Sequence, residues 1–501
     1  MRSRGTLAGA TMKLASARIL SMGLGVLTAP VIARLYRPRH FGVMGLLMSV
    51  AAIASAFRCL GYSHAIPLSE SRAEARSLLK LCLVLTLGLL VPLGCIALSA
   101  RSLLADLLGD PQVGQLIWCV PILFVQASLT ESARLALSWE GRFGIVSVAD
   151  FVSPNLARLL SVAFAYAIGA AAVTLLAAQL VARLVDMAIV GLAACLVLWK
   201  ANETHHRRPC RLTAAAKRHQ QFPKVQVWNT VLNTASRWTP VLLLGGLFGT
   251  RTVGYYSFSR GYLLVPITIL GASVAQAFYP EAAREWRETG STSDTVMRTL
   301  RILGCGGVFP MIAVGMLGPL LFSIVFSNRW VEAGVYAQII SPWLIMVLLG
   351  SPISTIFLIA RRAKCLLGYN VALGIARPAA LVLAAAAGGP RLALACFTGV
   401  SVIIWLHQLD RIFQIGKVDR RQASALLSKE VLRAVALLLP AAVAYWLFEL
   451  RWVSIALLSG GALAHLALLY RREPAVRRRI SQMLKGVLSG AGGPRRLSTG
   501  G

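Results

Sequence analysis

The 501-residue sequence predicts an all-α polytopic membrane protein of about fourteen transmembrane helices: two six-helix lobes related by a parallel pseudo-two-fold repeat, plus two extra C-terminal helices. Three observations predict this. The chain is 57% hydrophobic with a mean hydropathy of +0.68, too apolar for a soluble protein of its size. Its apolar residues fall into runs long enough to cross a bilayer, and its basic residues fall between alternate runs.

Taken in order, the first run, 12–33, follows a basic start (Arg2, Arg4, Lys13) and reaches Ile32 and Ala33 with no cleavage site, so it reads as an uncleaved signal anchor. The next five are 41–64, 77–100, 113–138, 145–168 and 171–198. Lys200 to Pro223, rich in Arg, His and Thr, reads as a cytoplasmic linker between an N-terminal lobe (1–199) and a C-terminal lobe (224–416). The second lobe holds 224–248, 253–279, 300–326, 333–360, 365–387 and 391–413. The runs 431–449 and 452–470 form the extra pair within 417–470. The basic, then Gly- and Ser-rich tail, 471–501, is expected to be cytoplasmic and disordered. APVIARLYRPRHFGVMG in the first lobe and TPVLLLGGLFGTRTVGYYS in the second share a proline, an apolar run, a short basic hairpin and a glycine, and six spans per lobe make the repeat parallel.

The net charge of +32, from 51 Lys and Arg against 19 Asp and Glu, suggests nucleic acid until its placement is considered. With residues at span ends counted to the nearer loop, 35 basic residues lie in segments on the side of the termini and 8 on the other. That bias puts both termini in the cytoplasm and excludes nucleic acid as a partner. The loops are too short for a folded soluble domain, and GxxxxGK[ST], HExxH and GxSxG are all missing, which argues against an ATP-driven pump or a hydrolase. Nine cysteines without a CxxC pair predict neither disulfide framework nor zinc site. His205 and His206 read as part of a solvated basic run rather than a metal site. Trp228, Trp238, Trp330 and Trp452 read as interfacial anchors.

Eight arginines fall inside spans: Arg18, Arg58, Arg134, Arg158, Arg183, Arg237, Arg260 and Arg377. Each costs about 2.5–3.5 kcal/mol on insertion scales, so each needs a watery or protein-lined surrounding. Glu131 with Arg134, and Arg183 with Asp186, stand three residues apart and read as structural pairs. The other six have no local carboxylate, and Arg58, near a span end, reads equally as snorkelling. Asn229, Asn233 and Arg237 stack at four-residue spacing on one helix face, as do Gln126, Thr130 and Arg134. Such stripes suit helices lining a hydrated cavity, and guanidinium forks match phosphate or carboxylate oxygens. The alternative is that these arginines pair with distant carboxylates or helix C-termini. Glu131, Asp150 and Asp186 are candidates for coupling to a proton or sodium ion, and no cofactor or metal is expected.

ARLYRPRHFGVMGLLMSVAAIASAF, GYYSFSRGYLLVPITILGASVAQAFYPEAAR and FSNRWVEAGVYAQIISPWLIMVLLGSPIS, in this order, resemble the polysaccharide biosynthesis, or oligosaccharide flippase, family of bacterial inner membranes, over Leu14 to about Phe413. The resemblance implies a two-lobed fold like that of drug exporters and lipid II flippases. It also implies movement of an undecaprenyl-diphosphate-linked oligosaccharide to the outer leaflet by alternating access. Lipid II relatives carry functional arginines on helices one, two and eight, the spans that hold Arg18, Arg58 and Arg260 here. Twelve spans are common in the family, and fourteen depart from that. The expected substrate site is Arg18, Arg58, Arg158, Asn229, Asn233, Arg237, Arg260 and Arg377. The expected partners are a lipid-linked oligosaccharide, membrane lipid, a polysaccharide polymerase and a chain-length regulator. A drug or cation antiporter and a membrane polymerase or ligase are the alternatives.

Overall fold

The computed structural model describes residues 4–199 and 212–472; His205, His206, half of the linker and nearly all of the tail lie outside them. The long helices are α1 (Arg4–Leu35), α2 (Pro38–Ser55), α3 (Arg72–Ser99), α4 (Cys119–Trp139), α5 (Phe143–Ala167) and α6 (Ala172–Trp199). Then come α7 (Val227–Thr289), α8 (Ser293–Val325), α9 (Val331–Ile353), α10 (Ala363–Ala387), α11 (Pro390–Gly416), α12 (Arg420–Trp446) and α13 (Arg451–Arg472). Ten described helices are long and apolar enough to cross a membrane, or eleven with the bent pair that begins at α2, so the chain is a multi-pass membrane protein. In a bilayer, helices of this kind satisfy every backbone polar group internally.

Local chemistry sets the helix ends. Ser71 caps α3 by accepting from Glu74 N–H at 3.2 Å, and Asp419 caps α12 by accepting from Arg421 N–H at 2.8 Å. The 63 residues of α7 are two arms broken at Gly249, whose φ of +80° is open to glycine at little cost. These arms are the two spans read at 224–248 and 253–279. Residues 41–64, read as one span, bend instead: α2 stops at Ser55 and a 3-10 run, Arg58–Leu68, leaves at 61° through left-handed Cys59, Leu60 and Gly61. Apolar periodicity does not register such a break, because both sides of it stay hydrophobic.

The two halves meet where α2 crosses α7. A Cβ on Gly42 would lie 1.8 Å from the Thr250 carbonyl oxygen, and one on Gly254 would lie 1.9 Å from that of Pro38. The contact is reciprocal, each helix presenting a glycine to the backbone four residues before the other's glycine. Both glycines come from the internal sequence match, which therefore corresponds to a symmetric crossing. Beside it, Trp330 stacks on Phe258 at 3.8 Å, packs against Phe41, and donates from Nε1 to the Ala33 carbonyl at 2.8 Å. The hairpin face of the bundle is thus closed by an aromatic core drawn from both halves. On the opposite face, the short helix Leu212–Arg218 docks on the start of α3 through Arg218 to Glu70 at 2.5 Å and His219 to Glu74 at 3.1 Å.

Candidate substrate and coupling site

Some of the polar residues within the spans gather into an ionic network in the first half, and others stand apart from it on both halves. In the first, α4 turns its Gln126–Thr130–Arg134 stripe toward α5 and α6. Gln126 donates to the Leu180 carbonyl at 3.1 Å, and Arg134 bridges Asp150 of α5 and Asp186 of α6, the latter at 2.6 Å. Asp150 also accepts from Arg18 of α1 at 2.7 Å. The carboxylates are mostly buried, whereas Arg18 is 62% exposed, so the network opens toward its surroundings at Arg18. Four charges on four helices satisfy one another, which is how such groups are tolerated in hydrocarbon.

Several expected pairings change. Arg18, read as having no local carboxylate, holds Asp150 across the bundle, the distant pairing kept as the alternative. Arg134 does not pair with Glu131 on its own helix; Glu131 lies 3.9 Å from Arg58 instead. Asp186 goes to Arg134 rather than to Arg183, whose recorded contact is with the Met48 sulfur at 3.8 Å. The physical reason is shared. Residues three apart on a helix are neighbours, but long guanidinium stems reach equally well to the next helix, where burial is deeper and the attraction less screened.

Arg158 sits in a notch of α1 made by Ser21 and Gly25. Its Nη1 donates to the Ser21 carbonyl at 2.8 Å and to Asn155 Oδ1 at 2.6 Å, and a Cβ on Gly25 would lie 2.6 Å from the guanidinium. In the second half, Arg377 of α10 donates to Ser401 Oγ at 2.8 Å and lies over the Trp343 ring at 4.8 Å, a cation–π placement. Arg260 of α7 lies close enough to Arg377 and buried Tyr256 to act on both electrostatically, and among the described residues it has no ion pair or hydrogen bond. Asn229, Asn233 and Arg237 are exposed on the first arm of α7, also without partners among the described residues. Arg158 and Arg260 thus stay without carboxylates on the two halves, while Arg18 and Arg58 belong to ionic contacts.

Sequence reasoning missed Asp110. It accepts from Arg39 with both oxygens, at 3.0 and 3.1 Å, and from Thr250 at 2.8 Å, tying α2 and the α7 break together. Burial works to raise its pKa, yet Arg39, the Gln112 N–H and Thr250 together hold it below the usual 3.8. The available signal was the Asp-Pro pair at Asp110–Pro111, a helix N-cap, which says nothing about distant partners. Glu74 behaves similarly on the linker face: burial raises it, but the Glu70 N–H, His219 and Arg218 bring it below 4.5.

A two-halved helical bundle with a symmetric crossing and arginines inside its spans is a multi-pass membrane protein whose fold is shared with known membrane transporters. Its fold is similar to that of the lipid II flippase MurJ in an inward closed conformation, with a TM-score of 0.69 and 11% identity over 91% of this chain and 98% of that one. It is also similar to an inward-facing multidrug resistance MATE family transporter of the MOP superfamily, with a TM-score of 0.56 and 14% identity over 81% and 95% of the two chains. The chain belongs to the polysaccharide biosynthesis protein family, whose model matches residues 31–335. It is 20% identical over 370 residues to the lipopolysaccharide biosynthesis protein WzxC of Escherichia coli (strain K12), which covers 73% of this chain and 72% of the relative.

Proposed function

We propose that the protein flips a diphosphate-linked oligosaccharide repeat unit from the cytoplasmic to the outer leaflet of a bacterial inner membrane, for surface polysaccharide synthesis. The observation that carries this reading is that arginines within the spans of both halves have no carboxylate partner among the described residues, Arg158 on one half and Arg260 and Arg377 on the other. A guanidinium held within a span without a carboxylate is costly, and an anionic guest offsets that cost. The lobes are 1–199 and 224–416, joined by a linker at 200–223, with 417–470 as an added pair. The sugar is too hydrophilic to cross bare hydrocarbon, so the cavity shields it while the lipid tail stays in the bilayer. Family membership, the lipopolysaccharide role named for WzxC and the flippase role named for MurJ support this class of substrate. No covalent step is needed.

In this reading the sealed hairpin face is the outer one, in keeping with the charge bias, and the substrate enters from the cytoplasmic side. Asp150 and Asp186 sit where protonation or a sodium ion would loosen Arg134 and Arg18, a route for coupling. A polymerase and a chain-length regulator act downstream. A drug antiporter of the same fold is less favoured, since a cationic substrate would meet arginines. The test is a leaflet-resolved assay of lipid-linked oligosaccharide in cells with and without the protein. Repeat units accumulating on the cytoplasmic leaflet, relieved by the wild type but not by Arg260→Ala, support the proposal; units that reach the outer leaflet without the protein overturn it.

A further inference from the structure

On the hairpin face, Arg37, Pro38, Arg39, Arg251, Tyr255 and Arg329 line a cavity of about 410 Å³. Four of the eight basic residues that the charge bias leaves on this side therefore converge on one space. They arrive from three separate turns: the α1–α2 hairpin, the α7 break after Gly249, and the Asn328–Trp330 turn before α9. The cavity straddles both halves of the bundle.

The local acids are already committed. Asp110 is taken by both donor nitrogens of Arg39 and by Thr250, and Glu332 is taken by Arg391 at 2.6 Å. Arg37, Arg251 and Arg329 have no ion pair among the described residues. The frame behind them is rigid. Arg251 donates from Nε to Tyr255 Oη at 3.0 Å, with its guanidinium 5.7 Å from that ring, and Trp330, next to Arg329, is fully buried in the aromatic core. Like charges gathered in a concave space repel until an anion enters, and guanidinium forks fit tetrahedral oxyanions better than ammonium groups do.

We propose that this cavity binds a multiply charged phosphate-class anion, such as a diphosphate, held between Arg37 of the first half and Arg251 and Arg329 of the second. The chemistry is common to a lipid head group and a free anion. The site stands apart from the transport reading, since it rests on cavity and charge alone.

The experiment uses the full-length protein in an uncharged detergent and follows inorganic pyrophosphate by calorimetry. The expected result is saturable binding that weakens as salt rises. It should fall at least tenfold in Arg251→Gln/Arg329→Gln and stay unchanged in Arg451→Gln, whose exposed arginine lies outside the cavity lining. All four lining arginines are exposed, so melting temperature should hold; if the double variant does not fold, Arg37→Gln carries the same expectation. Repeating the titration in phosphatidylcholine nanodiscs, with and without phosphatidylglycerol, separates the sources: competition by phosphatidylglycerol supports a head-group site, and undiminished pyrophosphate binding supports a free-anion site. Equal binding by wild type and folded variants, or no saturable binding at all, overturns the proposal. A failed leaflet assay with intact pyrophosphate binding would leave it standing.

Discussion

Asp110 accepts a hydrogen bond from Thr250 at 2.8 Å while both its oxygens hold Arg39, so one buried carboxylate ties the two halves of the bundle together beside their crossing. Asp110→Asn keeps the shape but removes the charge and turns one acceptor into a donor facing Arg39. Losing a charge-assisted, buried contact of this kind costs about 1–3 kcal/mol. Because the folded carboxyl titrates below 3.8, its contribution is complete above that pH and disappears as pH falls through the lower folded value. Thiol labelling of Thr252→Cys in a cysteine-free background should therefore speed up severalfold with Asp110→Asn at neutral pH. In the wild type the same acceleration should appear only in acid below 3.8. Unchanged labelling in the variant would show that the crossing holds without this carboxylate.

The glycine crossing makes a sharper prediction. Gly42→Ala or Gly254→Ala would place a methyl group within 2 Å of a carbonyl oxygen belonging to the partner helix backbone. Backbone cannot swing aside as a side chain can, so α2 and α7 must separate. Overpacking of this kind costs about 1–3 kcal/mol. Each substitution should lower the melting temperature in detergent and depress transport, whereas Gly23→Ala, with open space around it, should do neither. Equal melting of Gly42→Ala and Gly23→Ala would mean that the helices part at no cost.

The order of helices was legible because hydropathy is additive along a chain, and the Pro-to-Gly repeat was legible because it recurs in sequence. Lateral partnerships were not. Arg134 chooses Asp150 and Asp186, 16 and 52 residues away, over Glu131 on its own helix. Nothing in helical periodicity ranks an adjacent-helix partner against one three residues off. The notch of Ser21 and Gly25, three and seven residues along α1 from Arg18, receives Arg158 of α5, because the polar face of α1 is shared along its length. The bend after Ser55 left no trace in an unbroken apolar run.

Arg134 neutralises two carboxylates at once. Arg134→Leu would leave Asp150 with Arg18 alone and Asp186 with no hydrogen-bonded cation, two acids buried in an apolar bundle. Stranding one member of a buried ionic set costs about 3–5 kcal/mol. Arg134→Lys should recover little, since one ammonium cannot reach both carboxylates as the two ends of a guanidinium do. Arg134→Leu with Asp186→Leu should melt higher than Arg134→Leu alone. If the double variant is no more stable than the single one, Asp186 is already neutral and the network holds fewer charges than its geometry implies.

Arg158 and Arg260 should separate stability from transport. Arg158 ties α5 to α1 through the Ser21 carbonyl and Asn155, so Arg158→Ala removes a hydrogen-bonded brace and should lower the melting temperature together with activity. Arg260 makes no hydrogen bond or ion pair among the described residues and lies within electrostatic reach of a second cation, Arg377, so no partner holds its charge in the resting protein. Arg260→Ala should leave melting unchanged or raise it while abolishing movement of the lipid-linked substrate. Arg260→Lys should restore part of the transport, since a point charge still attracts a diphosphate but lacks the fork. The decisive measurement is melting temperature and leaflet-resolved transport on the same preparations. A fall in both for Arg260→Ala would place that residue among the structural arginines, leaving Arg158, Arg377 and the exposed Arg237 as cationic candidates for the substrate.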